Sequence, residues 1–269
     1  MNTKRQISPV LNVPIDVISW ETALLKLSTW AKNRESRYVC ICNVHSVVTA
    51  TQNAAFGAVV KNADMATPDG APVAWLMRKL GAKNQQRING PDLMWKYCEQ
   101  SQNNAALMKN AANLQNNINH NNDGMFFYGS TEATLATLQT KLLANFPDLN
   151  IAGAISPPFR TLTPDEDAEI VAQINNSGAG IVWVSLGCPK QELWMATHRG
   201  SINAVMIGVG AAFDYHAGTI KRAPKWMQHN GLEWLHRLVS EPKRLWKRYL
   251  VTNTLFVIGV VKQLFKSDK

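Results

Sequence analysis

The chain has little charge, and acid is the scarcer part of it. Asp, Glu, Lys and Arg make up only 17% of 269 residues, and 28 basic residues face 19 acidic ones, for a formal net charge of +9. With 46% hydrophobic residues, this composition excludes disordered and fibrous classes and suits one sizeable core with an appendage. The four cysteines, Cys40, Cys42, Cys98 and Cys188, form no C-x-x-C pair, and the six histidines show no ligand spacing. Neither a disulfide framework nor a zinc site is therefore expected. Cys40 and Cys42 would share one face of a strand, as core residues in a reducing compartment do. No apolar run follows the charged first residues, so no signal peptide is expected. The longest apolar stretch, 255–261, falls far short of the roughly 20 residues that a membrane-spanning helix needs. These absences predict a cytoplasmic protein that does not span a bilayer.

What charge there is lies at one end. Lys221 to Lys269 hold eleven Lys or Arg against Glu233, Glu241 and Asp268. From Lys225 onward aromatic and basic residues recur at helical spacing: Trp226, Trp234, Leu235, Leu238, Leu245, Trp246, Tyr249 and Leu250, interleaved with Arg237, Lys243, Arg244, Lys247 and Arg248. Amphipathic helices of this kind suit an anionic membrane surface, with rings at headgroup level and cations on the lipid phosphates. A helical pair packed on the core with a solvated basic face fits the same spacing, and so does a nucleic-acid-binding module. The organisation expected is a core over 1–220 and a helical basic appendage over 221–269.

Within the core, short β-branched apolar runs alternate with helical patterns. Strands are predicted over 38–43, 65–67, 125–128, 150–155, 181–186 and 205–208; helices over 47–61, 72–80, 91–100, 132–145, 164–175 and 189–198. This alternation predicts an α/β, Rossmann-like fold, a mostly parallel sheet with helices on both faces. An Asn-rich stretch over about 100–123 reads as an inserted loop or weak exposed helix. Ligands on such sheets bind at the carboxyl ends of the strands, where the unusual residues collect. Asn43-Val44-His45 follows the first core strand and Pro68-Asp69-Gly70 the second; Gly129-Ser130, Gly187 to Glu192 with Pro189 and Lys190, and Gly208-Val209-Gly210 follow later ones. Glycines there admit a ligand close to the backbone, and helix N-termini offer amides to a phosphate.

Several of these residues are candidates for chemistry. Asp69, directly after a strand, is placed to act as a general base toward an acceptor hydroxyl, although Pro-Asp-Gly is also a common turn. Pro189 suits the first turn of a helix whose amides near Lys190 and Gln191 would face the ligand, and ordinary capping explains the same residues. Arg87 could meet a phosphate or carboxylate, or be a plain surface arginine. Asp165-Glu166-Asp167 matches an Asp-x-Asp metal pattern, but it follows Thr163-Pro164 at a helix start, where acids are favoured anyway; the capping reading is preferred and no metal site is predicted. Gly208-Val209-Gly210-Ala211-Ala212-Phe213 lacks the third glycine of a dinucleotide fingerprint and a ribose-binding acid at the right distance, which argues against an oxidoreductase.

Taken together, the Asn43 turn, Asn62-Ala63-Asp64 leading to Pro68-Asp69-Gly70, Arg87-Ile88-Asn89-Gly90-Pro91-Asp92-Leu93, Gly187 through Glu192, Gly208 through Asp214 and Arg222-Ala223-Pro224 resemble the WecG/TagA/CpsF family of bacterial glycosyltransferases, glycosyltransferase family 26. The resemblance implies an inverting, metal-independent enzyme that needs no cofactor. Its donor would be a UDP-sugar and its acceptor a polyprenyl-diphosphate-linked saccharide, at the inner face of the cytoplasmic membrane. N-acetylmannosamine, its uronate or a hexose is the sugar class implied, in cell-surface or extracellular polysaccharide synthesis. Asp69 matches the family's catalytic aspartate; Asn43, Arg87 and Gln191 match its active-site asparagine, arginine and glutamine; Arg222, Arg237 and Arg244 match appendage arginines that reach the diphosphate. The chain departs from many members at Ile41, where they carry threonine. A non-catalytic nucleotide-sugar-binding protein is the rival expectation, with nucleic acid not expected as a partner.

Overall fold

A computed structural model describes residues 5–112 and 124–267. In chain order the elements are β1 (Ile7–Val10), β2 (Val13–Asp16), α1 (Trp20–Lys32), β3 (Arg37–Cys42), α2 (Val44–Gln52), α3 (Ala54–Asn62), β4 (Met65–Pro68), α4 (Ala71–Lys79) and α5 (Gly90–Ala112). They continue with β5 (Gly124–Gly129), α6 (Glu132–Asn145), β6 (Ile151–Ile155), α7 (Pro164–Asn176), β7 (Ala179–Ser185), α8 (Lys190–Thr197), β8 (Val205–Gly208) and α9 (Ala212–Ala217). Three helices close the chain: α10 (Lys225–His229), α11 (Glu233–Ser240) and α12 (Pro242–Ser267). The expected α/β architecture is present as a six-stranded parallel sheet in the order β4-β3-β8-β7-β5-β6, flanked by helices. Strands covered on both faces carry near-continuous apolar runs, and every residue of β5 and β8 is buried.

The chain divides into two units. The first takes in the segment ending at Trp20, Cys40–Asn89 and the segment from Lys221 on; the second takes in Glu21–Val39 and Gly90–Ile220. In the second unit Trp183 and Phe127 are fully buried, and Phe127 meets Phe213 edge-on at 5.6 Å. Gly180 of β7 runs so close to α1 that a Cβ there would lie 2.7 Å from the carbonyl of Ala31.

In the first unit the hairpin of β1 and β2 anchors both a strand and the final helix. Asp16 is buried and takes Arg5 in a two-point ion pair at 2.7 and 2.9 Å while accepting from the amide of Ala66 at 2.5 Å. Arg5 also donates to the carbonyl of Ala63. At the other end of the chain, Gln263 accepts from the amide of Leu11 at 2.8 Å and donates to the carbonyl of Pro9 at 2.5 Å. Between those ends α12 lies on α2, burying Leu245, Thr252, Phe256 and Val260, positions that share one face at helical spacing. Trp246, Leu250, Val251, Val257, Ile258, Val261 and Phe265 stay exposed. No helix among the described residues is long and apolar enough to cross a membrane.

Local differences from the sequence expectations have local causes. The single helix expected over 47–61 is two, because Asn53 ends α2 by donating its amide to the carbonyl of Thr49 and starts α3 by accepting from the amide of Phe56 through its side chain. Asparagine favours caps for this reason. α5 continues to Ala112 rather than stopping near 100, so the first part of the Asn-rich stretch is helical; its remainder, 113–123, lies outside the described residues. The N-terminal hairpin and α1 had no counterpart among the predicted elements. Replacing Asp16 with Ala would leave the guanidinium of Arg5 and the amide of Ala66 without their shared acceptor. The variant is expected to lose about 3 kcal/mol of stability, read from urea unfolding with the slope unchanged.

Candidate active site

The ends of β3 and β4 are built by backbone contacts that leave little freedom to the residues beyond them. Asn43 caps α2, its Oδ1 accepting from the amide and hydroxyl of Ser46 at 3.1 and 3.4 Å. The amide of Asp69 donates to the carbonyl of Cys42 at 2.9 Å, and Ile88 donates to the carbonyl of Pro68 at 2.7 Å. Thr67 in turn donates its hydroxyl to the carbonyl of Ile88 at 3.1 Å. Gly70 adopts φ +82°, a region that side chains disfavour, and precedes α4. These bonds fix Asp69 at the strand end and bring the Arg87-Ile88-Asn89 segment beside it.

Charge gathers around that carboxyl. Arg87 reaches Glu233 at 3.1 Å, and Arg222 reaches the other oxygen of Glu233 at 2.8 Å while donating to Asn89 at 3.4 Å. Glu233 is the first residue of α11, so the basic C-terminal segment supplies an acid to the cluster. Burial pushes the Asp69 carboxyl up, Glu233 adds to the effect, and Arg87, Arg222 and the amide of Gly70 oppose it; the outcome is about 6. A carboxyl so tuned is mostly ionised at neutral pH yet basic enough to take a proton. On the β3 side, burial and then Arg248 lower His45 to about 4, so its imidazole is neutral. Ile41, where the resemblance implies threonine, is buried in β3.

The other appendage arginines also sit on an acid. Glu241, the residue after α11, accepts from Arg237 at 3.4 Å and Arg244 at 2.7 Å. Thus Arg87 and Arg222 come together near Asp69, and Arg237 and Arg244 form a separate pair.

In the second unit, the later strand ends form a linked set of turns. Gly129 has φ +119°, and a Cβ on it would lie 2.4 Å from the carbonyl of Ser185; no other residue fits. Ser130, also at positive φ, donates its amide to that carbonyl at 3.2 Å. The Ser185 hydroxyl donates to the carbonyl of Gly210 at 2.7 Å, and the Gly210 amide donates to Oε1 of Gln191 at 3.1 Å. Nε2 of Gln191 donates to Glu192 at 3.0 Å, and Gly208 lies so close that a Cβ would come within 2.9 Å of that nitrogen. Gln191 is therefore buried with both ends of its amide engaged, and it pins the β8 turn to α8. The expectation that its backbone amide faces a ligand is corrected: that amide donates to the carbonyl of Gly187 at 3.0 Å. Pro189 occupies the cap position rather than the first turn, α8 beginning at the exposed Lys190.

Glu192, hardly considered from sequence, is buried with its second oxygen unbonded, and burial holds its carboxyl above the usual range. Asp165-Glu166-Asp167 behaves as a cap. Thr163 and Glu166 form a reciprocal capping box, Arg160 and the Thr163 amide hold the Glu166 carboxyl down at about 2, and Asp167 pairs with His198 at 2.8 Å. Glu233 was missed as a member of the cluster near Asp69, whereas Asn89 and His45 were singled out as parts of motifs but given no role. No spacing rule links 87, 222 and 233; the one available signal was an isolated acid in an otherwise basic segment.

The site as built is a raised carboxyl set near arginines at the strand ends of a parallel α/β sheet. The chain belongs to the glycosyl transferase WecG/TagA/CpsF family, whose model matches residues 8–269. A curated relative is the N-acetylglucosaminyldiphosphoundecaprenol N-acetyl-beta-D-mannosaminyltransferase of Bacillus spizizenii. It is 28% identical over 243 residues, which cover 90% of this chain and 85% of the relative.

Because the folded state raises the Asp69 carboxyl, it favours the protonated form. That contribution to stability is complete below the unfolded value near 4 and is lost as pH rises through about 6. Asp69→Asn is therefore expected to unfold at higher temperature than the wild type at pH 7.5, by an amount equivalent to about 3 kcal/mol, with the gain shrinking toward zero near pH 4. Thermal melts across that range check it.

Proposed function

We propose that this glycosyltransferase moves a sugar from a UDP-sugar to a polyprenyl-diphosphate-linked saccharide by a single, inverting, metal-independent displacement, with Asp69 as the base. The observation that carries the reading is the Asp69 carboxyl, fixed at a strand end beside two guanidinium groups and poised at about 6. Its ionised oxygen takes the acceptor hydroxyl proton as that hydroxyl oxygen bonds to the anomeric carbon. The bond from the anomeric carbon to the UDP oxygen breaks on the opposite face, and the leaving diphosphate carries away the electron pair. Arg87 and Arg222, with Arg237 and Arg244, supply the positive charge that the departing group needs. Asn43 helps to set the acceptor side. Gln191 acts as a positioning residue that holds the Gly208 to Gly210 turn of the second unit, and Gly129, Ser130, Gly187, Pro189 and Lys190 of that unit are the residues proposed to meet the donor.

The relative's name places an N-acetylmannosaminyl group on a lipid-linked N-acetylglucosaminyl diphosphate, which supports N-acetylmannosamine as the first donor sugar to try. The segment from Lys221 on is read as the membrane-facing part at the cytoplasmic leaflet. Exposed Trp226, Trp234, Trp246 and Leu250 accompany its lysines and arginines, the composition expected of a surface-lying helix at anionic lipid.

Two measurements test this reading. Asp69→Asn, assayed with UDP-N-acetylmannosamine and a polyprenyl-diphosphate N-acetylglucosamine, should lose about 10³-fold in turnover while retaining UDP binding; turnover near that of the wild type removes Asp69 from the role of base. For the wild type, kcat/KM should fall on the acid side with a midpoint near 6, following protonation of Asp69. An acid limb near 4 would show that the Asp69 carboxyl is not raised, and would overturn the reading of it as a tuned base.

A further inference from the structure

The four arginines assigned to the diphosphate rest on two carboxylates, and those carboxylates stand at the two ends of one short helix. Glu233 begins α11 and takes Arg87 at 3.1 Å and Arg222 at 2.8 Å, one on each oxygen. Glu241 follows the end of α11 and takes Arg237 at 3.4 Å and Arg244 at 2.7 Å. α11 buries none of its residues, so little apolar packing resists its movement. Its ion pairs run through the groups that a diphosphate would claim.

Charge counting gives the direction. Arg87, Arg222, Glu233 and ionised Asp69 already sum to zero, and Glu233 stands only 22% exposed, where like charges are poorly screened. A diphosphate entering with Glu233 in place would set several anions against two cations. A carboxylate bridging two guanidinium groups, oxygen by oxygen, also presents the edge that a phosphate presents.

We propose that Glu233 is an internal counter-ion that occupies the diphosphate's place on Arg87 and Arg222 and is displaced when the donor binds, releasing the first turn of α11. The inference rests on the reading of these arginines as diphosphate ligands. It gives Glu233 two consequences for the cycle. It weakens donor binding by competing for the arginines, and its return after transfer helps to expel UDP. Glu233 is on this account a positioning residue, acting through the arginines and touching no reacting atom.

The experiment compares the full-length wild type with Glu233→Gln and Glu233→Asp, using calorimetry with UDP and with inorganic pyrophosphate, beside the pH profile of kcat/KM. Glu233→Gln should bind both probes about tenfold more tightly. Glu233→Asp, too short to span both arginines, should show a smaller gain. The acid limb should also move to lower pH in Glu233→Gln. The charged groups facing Asp69 are Glu233 from α11, Arg87 and Arg222, and only the one that raises its carboxyl is removed. If Glu233 merely props the arginines in a binding posture, both variants lose affinity, and that result overturns the proposal, as does unchanged affinity in both. Should Glu233→Gln fail to fold, the Glu233→Asp comparison decides alone. A wild type that binds pyrophosphate but not UDP would defeat the donor reading, while the pyrophosphate comparison would still settle the counter-ion.

Discussion

Asp69 is half-buried at its strand end, where a negative charge loses hydration, and much of the first unit can be understood as the set of contacts that makes this tolerable. In the proposed role, burial alone would keep the carboxyl protonated and useless as a base; two guanidinium groups alone would hold it ionised and too weak to take a proton. The balance comes from three charges on three separate segments. Arg87 comes from the loop after α4, Arg222 from the stretch before α10 and Glu233 from α11. The backbone bonds from Asp69 to Cys42 and from Ile88 to Pro68 then matter as electrostatic devices as well as packing. They set the distances on which the balance depends.

The same logic explains why the C-terminal segment is needed by the unit that begins the chain. Leu245, Thr252, Phe256 and Val260 seat α12 on α2, and Gln263 ties it to the first hairpin. α2 is the helix capped by Asn43, so seating α12 there also brings Arg248 to His45. Of the two readings of the tail, packing and surface attachment, the first is met on one face of α12. The exposed aromatic and aliphatic residues of the other face remain available for the second.

Periodicity carried the sheet well, because buried parallel strands must be apolar throughout and strand-end glycines must follow them. Six strands and their crossover helices were legible on that basis, with strand boundaries displaced by a residue or two, whereas α5 runs twelve residues beyond its expected end. The split at Asn53 was not, since one asparagine serving as cap to two helices leaves the apolar period almost unbroken. At the site, Asp69 and Asn43 stood out because each follows a strand end, and Arg87 because it precedes a helix. Glu233 did not, because its role exists only once residues 146 positions apart in sequence are joined. Gln191 was visible as a helix start, but not its side-chain hydrogen bonds to Gly210 and Glu192, which depend on residues brought together only by the fold.

The two glutamates of the basic segment bear on how its charge should be read. Eleven cations against three acids suggests a surface built for phosphate in bulk, whether lipid or nucleic acid. Yet Arg237 and Arg244 share Glu241, as Arg87 and Arg222 share Glu233. Such neutralisation is wasteful for a surface that gains from uniform positive potential, because each acid lowers the long-range attraction. It is useful for a site that must bind an anion, hold it through one reaction and then let it go. A binding site with four unneutralised arginines would retain its product, and turnover would be limited by release. Acids placed on the arginines make the difference between bound and free states smaller and the exchange faster. On the proposed function, the sparse acid of this segment is therefore part of a reversible diphosphate site rather than leftover surface charge.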